Sequence, residues 1–154
     1  MIDGPNVYAY VQNDPLNYVD PMGTWRPGIH DELVDEAFSF LTDEERNAIK
    51  QGSRFVDEDQ SLEGSYKHAM RAFRMWEPNQ SVGEARQLMN KFIEENMIGY
   101  QKNLTVGNDF AAYYALGEAM HPIMDSTSPA HEGFQVWYGY NPLSLLHPPK
   151  EMWI

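Results

Sequence analysis

The segment ALGEAMHPIMDSTSPAHEGF, residues 115–134, is the stretch around which the rest of the chain is organised. It places His121 and Asp125 four residues apart, so on a helix both side chains share one face about one turn apart. The Ser-Thr-Ser-Pro turn that follows is expected to bring His131 back towards that face. Two imidazoles and a carboxylate at a helix end are ligands that zinc prefers. A surface hydrogen bond explains such a His-Asp pair equally well, so the metal hypothesis depends on ligands elsewhere in the chain.

The composition limits the classes of protein to which the chain can belong. Its 154 residues provide one domain and a short appendage, and a hydrophobic fraction of 42% is ample for a core. Nine Met and four Trp indicate an irregular, mostly helical interior. The formal net charge of -12 opposes non-specific binding to nucleic acid. Because there is no cysteine, any metal must be held by His, Asp, Glu or backbone groups.

Apolar periodicity and capping residues predict an all-α, compact multi-helix domain. An apolar stripe at helical spacing predicts a helix over residues 30–41. Thr42 opens a T-D-E-E capping box, which predicts a second helix from about Asp43 to about Gly52. The polar and acidic residues 53–60 are then expected to form a loop.

A helix-like segment and two further helices are expected after residue 61. Residues 62–76 have a helix-like pattern. Ser81 opens another capping box and predicts a long amphipathic helix to about Lys102. Asn108 or Asp109 can cap the helix that carries His121 and Asp125. The residues expected to face inward from the long helix are Ala85, Leu88, Met89, Phe92, Ile93 and Met97.

The N-terminal tail, residues 3–23, reads DGPNVYAYVQNDPLNYVDPMG. It contains a short β-type run at residues 7–11, then two Asp-Pro turns and a glycine. The stretch resembles the end of the RHS-repeat core of bacterial polymorphic toxins, where an N-x-Y-x-Y-x-x-N-D-P…D-P-x-G segment closes a shell. In that family the core cleaves its own chain just after this segment and releases a variable C-terminal toxin.

This resemblance implies a cleavage site and a domain boundary. Asp14 and Asp20 resemble the acidic residues of the self-cleavage, and the break would fall between Thr24 and Trp25. The implied partners are the RHS shell before release and a cognate immunity protein, and the implied location is that of a secreted effector that acts in a target cell. The predicted domains are residues 1–24, the end of the core, and residues 25–154, a helical metal-dependent effector.

The histidines form a second pattern. There are five: His30, His68, His121, His131 and His147. Each alone has an ordinary explanation as a helix cap, a core histidine or a loop residue. Together with other residues they read W-x4-H … D … H … H-x3-D-x5-H … H-x3-E. This order resembles the zinc-dependent phospholipase C family and its relatives, the fungal-type single-strand nucleases, at every ligand position between Trp25 and Glu151.

The resemblance implies up to three zinc ions. The implied ligands are His68, His121 and Asp57 for the first, His131, His147 and Glu151 for the second, and Trp25, His30 and Asp125 for the third, with Asp125 bridging. Asp59 stays open as an alternative to Asp57, because the spacing to His68 is tighter than usual. In the family the Trp is the mature N-terminus and binds through its amine and carbonyl oxygen, so cleavage before Trp25 would complete the third site.

The implied activity is zinc-dependent hydrolysis of a phosphodiester by a metal-activated hydroxide, with Asp57 as the candidate base. The H-x3-E pattern is typical of the phospholipase branch and the W-x4-H spacing of the nuclease branch. Because the net charge of -12 opposes binding of a polynucleotide, we expect cleavage of phospholipid head groups, with a single-strand nuclease as the alternative. A third hypothesis, a non-catalytic helical binding module, predicts no metal in the purified protein.

Overall fold

The computed structural model describes residues 28–128 and 131–139. It contains helices α1 (Ile29–Ala37), α2 (Asp43–Asp57), α3 (Val82–Thr105) and α4 (Asp109–Ser126). A 3-10 helix covers Ser65–His68, and strand β1 (Arg71–Ala72) pairs in parallel with strand β2 (Val136–Trp137). The described part of the chain is therefore mostly helical, which confirms the all-α class. The predicted tail residues Asp14, Asp20, Thr24 and Trp25, and the predicted ligands His147 and Glu151, lie outside the described residues.

Helices α2 and α4 pack with their backbones in contact. A Cβ on Gly52 would lie 2.0 Å from the carbonyl oxygen of Tyr114, and one on Gly117 would lie 2.0 Å from the carbonyl oxygen of Ile49. Only glycine permits this distance of approach. The core beside the crossing is formed by the buried side chains of Val34, Ile49, Leu116 and Met124.

The predicted end of α2 at Gly52 is wrong. The helix continues to Asp57, so part of the predicted loop over residues 53–60 is helical. Gly52 resembles a helix terminator in the sequence, but here its missing side chain makes room for α4. The longer helix places Ser53 and Asp57 on a rigid element beside the end of α4.

The predicted helix over residues 62–76 is also wrong. Only Ser65–His68 is helical, and it is a 3-10 helix followed by Ala69 in the left-handed region at φ 52°. The backbone then pairs with the distant segment after Phe134: Arg71 N donates to the carbonyl oxygen of Gln135 at 3.0 Å. Pairing with a distant strand satisfies these backbone groups and overrides the local helical pattern.

The capping predictions are confirmed. Thr42 and Ser81 each form a complete capping box, and the side chain of Asn108 accepts a hydrogen bond from the backbone N–H of Ala111. The long helix α3 ends at Thr105, close to the predicted end. Of its predicted inward residues only Ala85 is fully buried, and Leu88 is exposed.

The first helix is shorter than predicted, ending at Ala37. Phe38 and Leu41 beyond it still pack against the core. No helix in the described ranges is long and apolar enough to cross a membrane.

Candidate metal centre

The carboxylate of Asp125, near the end of α4, lies at the centre of a buried cluster of histidines. Its Oδ1 lies 2.9 Å from Nε2 of His30, which is on α1. Its Oδ2 lies 3.1 Å from Nδ1 of His68 and 3.2 Å from Nε2 of His121. Asp125 is 3% exposed and His121 is fully buried. Three separate elements thus place imidazole nitrogens around both oxygens of one carboxylate.

Three of these atoms form a nearly equilateral triangle. Nδ1 of His68 and Nε2 of His121 are 3.1 Å apart, which matches their distances to Oδ2 of Asp125. Tetrahedral zinc binds nitrogen and carboxylate oxygen at about 2.0–2.2 Å, so two of its ligand atoms lie about 3.3–3.5 Å apart. The triangle needs to widen by only a few tenths of an ångström to fit zinc. These buried groups could therefore hold a metal ion.

A second group shares His121 with the first. It consists of His30, Asp57 and His121, whose candidate ligand atoms all lie within 4.8 Å of one another. Oδ1 of Asp57 is 3.8 Å from Nε2 of His121. The side chain of Asp57 is 53% exposed, unlike the buried ligands around it, so this side of the cluster is accessible to water.

The structure places Asp59 differently from Asp57. One of its carboxylate oxygens lies 2.7 Å from Nζ of Lys67, and the other accepts a hydrogen bond from the hydroxyl of Ser61 at 2.6 Å. Hydrogen bonds from Lys67 and Ser61 lower the pKa of Asp59 to about 2. Its backbone carbonyl, and not its carboxylate, faces the cluster and lies 2.9 Å from Nε2 of His68.

His131 lies beside the cluster but outside both groups of candidate ligands. Its Nδ1 donates to the backbone carbonyl of His68 at 2.5 Å and is 4.0 Å from Oδ2 of Asp125. The imidazole is buried. The expected return of His131 towards the face of His121 and Asp125 is therefore observed. Its predicted partners in a second metal site, His147 and Glu151, lie outside the described residues.

Burial and hydrogen bonding act in opposite directions on the ionisable groups of the cluster. Burial alone raises the pKa of Asp125, but hydrogen bonds from His121, His30 and His68 hold it well below its usual value. Burial lowers the pKa of His121 by more than its hydrogen bond to Asp125 raises it. For His68 burial also lowers the pKa, but the hydrogen bond and charge of Asp125, the backbone carbonyl of Asp59 and the charge of Asp57 together outweigh it, and the pKa is raised. An ionised Asp125 beside a neutral His121 is a combination suited to a metal.

One residue of the site is missing from the sequence-based predictions. The hydroxyl of Ser53 lies 3.1 Å from Nδ1 of His121, and Ser53 is only 1% exposed. The sequence predicts a loop over residues 53–60, so it gives Ser53 no fixed position beside His121. Once α2 is extended, the spacing of Ile49, Ser53 and Val56 places all three on the buried face of the helix.

A cavity of about 350 Å³ is formed in part by residues adjoining this cluster. Phe55 and Phe92 provide aromatic walls, and among the described residues Lys67 is the only basic one in the lining. Burial raises the pKa of Glu118 in the wall, and Lys67 only partly opposes this. The lining residues are Phe55, Val56, Glu58, Asp59, Lys67, Phe92 and Glu118.

The described residues thus define a helical domain with a buried His/Asp cluster that could hold a metal ion. Comparison of the chain with models of protein families, with curated proteins and with solved structures gives no match. A function must therefore be argued from the sequence pattern and from the geometry of the cluster.

Proposed function

We propose that the chain is a zinc-dependent phosphodiester hydrolase that acts as a toxin. The observation that carries this proposal is the triangle formed by His68, His121 and Asp125, whose ligand atoms are 3.1–3.2 Å apart. Within the described ranges no Lys or Arg pairs with Asp125. A buried carboxylate that faces only imidazoles at this spacing is better suited to a cation than to an ordinary ion pair.

Zinc in this site would supply a Lewis acid that lowers the pKa of bound water from about 15.7 to about 7 and neutralises charge on phosphoryl oxygens. His68, His121 and Oδ2 of Asp125 would hold one ion. His30 faces the other oxygen of Asp125, and these two residues would hold a second ion if one binds. Asp57 lies on the accessible side, where it can orient water and accept a proton as the general base.

For the substrate we favour a phospholipid head group. The net charge of -12 and the acidic side chains of Glu58, Asp59 and Glu118 around the neighbouring cavity oppose the approach of a polynucleotide. A neutral or cationic head group meets no such repulsion. The tail resembles the end of an RHS core. On that basis we also propose that the chain is delivered as an effector and that an immunity protein is its partner.

The test combines elemental analysis of the purified chain with hydrolysis assays on phosphatidylcholine vesicles and on single-stranded DNA. We expect bound zinc and release of the head group, and loss of both in His121→Ala. Cleavage of DNA alone would replace the phospholipid by nucleic acid as the substrate. Absence of zinc, with no hydrolysis of either substrate after zinc is added, would overturn the proposal and favour a non-catalytic binding module.

The predicted cleavage before Trp25 has its own test. A chain that begins at Trp25 would offer a free amine and a carbonyl oxygen as additional ligands, as the family resemblance implies. We expect this shorter chain to bind more zinc and to be more active than the full chain. Equal zinc content and equal activity in the two forms would remove Trp25 from the ligand set.

A further inference from the structure

Two histidines of the cluster each have one ring nitrogen held by an oxygen of the protein. Nδ1 of His121 lies 3.1 Å from the hydroxyl of Ser53, and Nε2 of His68 lies 2.9 Å from the backbone carbonyl of Asp59. In both rings the other nitrogen faces Asp125. Hydrogen bonds of this kind fix the orientation and the tautomer of an imidazole that binds metal.

The carbonyl of Asp59 can act only as an acceptor, so Nε2 of His68 must carry a proton to bond with it. In the charged ring Nδ1 also carries a proton and donates it to Asp125, and in the neutral ring that a metal requires the lone pair is on Nδ1, the nitrogen that faces Asp125 and His121. The backbone thus selects Nδ1 as the metal-binding atom of His68.

The case of His121 differs because its partner is a side chain. We propose that Ser53 is a positioning residue whose hydroxyl accepts from Nδ1 of His121 and directs Nε2 to the metal, an inference that rests on the proposed zinc site. The hydroxyl can donate as well as accept, so it can pair with either neutral tautomer of His121. When a metal occupies Nε2, the proton must be on Nδ1, where Ser53 can accept it.

The packing of α2 on α4 explains why this contact forms. Gly52 touches the backbone at Tyr114, which brings the next residue, Ser53, to hydrogen-bond distance of His121. The ring of His121 is fully buried and meets those of His30 and His68 edge to face, at centroid distances of 4.5 and 4.9 Å. These neighbours constrain the plane of the ring, and Ser53 distinguishes its two nitrogens.

The test uses three variants of the full chain: Ser53→Ala, Ser53→Thr and the control Ser65→Ala. Ser65 is also 1% exposed, but its hydroxyl has no hydrogen-bond partner within the described ranges, so this variant controls for loss of a buried hydroxyl. Zinc affinity is measured by competition with a chelator. We expect Ser53→Ala to bind zinc about 10–100-fold more weakly, as is typical when the partner of a metal ligand is lost. Ser53→Thr keeps the hydroxyl and should restore most of the affinity, and Ser65→Ala should match the unmodified chain.

A second readout does not depend on metal. Long-range proton–nitrogen spectra report which nitrogen of His121 carries the proton. In the metal-free chain we expect Ser53→Ala, but not Ser65→Ala, to change the ratio of the two neutral tautomers, and in the zinc-loaded chain we expect a proton on Nδ1. On the unmodified chain this measurement tests the assigned tautomer of His121 even if Ser53→Ala does not fold.

The possible results separate this inference from the proposed function. If the unmodified chain binds zinc and Ser53→Ala binds it equally tightly, Ser53 has no positioning role and the zinc site stands. A zinc-loaded chain with the proton on Nε2 of His121 would also overturn the inference. If the chain binds zinc with the expected dependence on Ser53 but hydrolyses no phosphodiester, the proposed function fails and the inference holds.

Discussion

The side chain of Asp125 uses both of its carboxylate oxygens, with Oδ1 facing His30 and Oδ2 facing His68 and His121. No other acidic side chain of the described ranges is so deeply buried, and its hydrogen bonds with the histidines keep it ionised. A neutral replacement of the same shape therefore separates the role of charge from that of packing.

We expect Asp125→Asn to weaken zinc binding by at least about 100-fold, the upper end of the loss seen when only a supporting partner of a ligand is removed. The amide lacks the negative charge and turns an N–H₂ group towards at least one imidazole. Zinc titration with a fluorescent chelator measures the change. The control is Asp109→Asn, an exposed aspartate at the start of the same helix. Equal zinc affinity in both variants would exclude Asp125 as a ligand.

The two acidic residues that the sequence leaves as alternatives are separated by a matched pair of variants. Asp57→Asn should reduce hydrolysis and weaken zinc binding, because Asp57 faces His121 on the accessible side. Asp59→Asn should leave the zinc content unchanged. It should lower the free energy of unfolding by only about 0–1 kcal/mol, because it removes the ion pair with Lys67. Metal analysis, hydrolysis rates and chemical unfolding measure the three quantities. The opposite ranking would make Asp59 the functional carboxylate.

At the residue scale, the sequence predicts candidate ligands better than it predicts their supports. Histidines and carboxylates are chemically distinctive, and the spacing of His121 and Asp125 predicts a shared helix face. Ser53 has no such signature, because a serine after a glycine resembles the start of a loop. Its role depends on how closely α2 approaches α4, which local sequence patterns do not encode.

At the scale of elements, the crossing of α2 and α4 depends on two glycines. We expect Gly52→Ala to destabilise the fold by about 1–3 kcal/mol or more, because the new Cβ would overlap the backbone oxygen of Tyr114, which cannot move aside. The gain in helix propensity, about 1 kcal/mol, does not offset this. Chemical unfolding measures the change. Because Ser53 and Asp57 lie on the same helix, zinc binding should also weaken.

The matched control is Gly99→Ala in α3. A Cβ there would lie 3.7 Å from Cβ of Ala115, which is ordinary contact. This variant should gain about 0.5–1 kcal/mol from helix propensity. If both glycine variants were stabilised, the close approach of α2 and α4 would be wrong.

The capping box of α3 gives a prediction about pH. Hydrogen bonds from the backbone and side chain of Ser81 lower the pKa of Glu84 below its usual 4.5. The ionised carboxylate of Glu84 therefore stabilises the folded form. This contribution is fully present above pH 4.5, the usual pKa, and is lost as the pH falls through the lower pKa of the folded form. We expect the difference in unfolding free energy between the unmodified chain and Glu84→Ala to shrink on acidification. A difference that persists in acid would contradict the capping role.

These elements also show where prediction from sequence succeeds. A capping box is a local contact between residues three apart, so Thr42 and Ser81 predict the starts of their helices correctly. The prediction of a helix over residues 62–76 fails because part of this backbone pairs with residues near Gln135, more than sixty positions away. The predicted end of α2 at Gly52 fails for a related reason: the residue that Gly52 contacts, Tyr114, belongs to another helix.

At the scale of the whole molecule, α1 is the element whose attachment depends most on the cluster. It has nine residues, its N-cap Gly28 provides no side-chain cap, and Val34 is its only fully buried residue. A helix of this length is marginal without tertiary contacts. The contacts that join α1 to the domain include its core packing, its ion pairs with α2, such as that of Asp35 with Lys50, and His30 beside Asp125.

Zinc should therefore stabilise the domain and protect α1 more than the other helices. If His30 shares a metal centre with Asp125, zinc at about 100 times its dissociation constant adds about 2.7 kcal/mol to the stability of the folded state. Hydrogen exchange measured with and without a chelator should show the largest gain in protection at the amides of α1, and a much smaller gain at the N-terminal half of α3. In His30→Ala the gain at α1 should disappear while zinc still binds at His68 and His121. Uniform protection of all four helices by zinc in the unmodified chain would show that His30 does not anchor α1 through the metal.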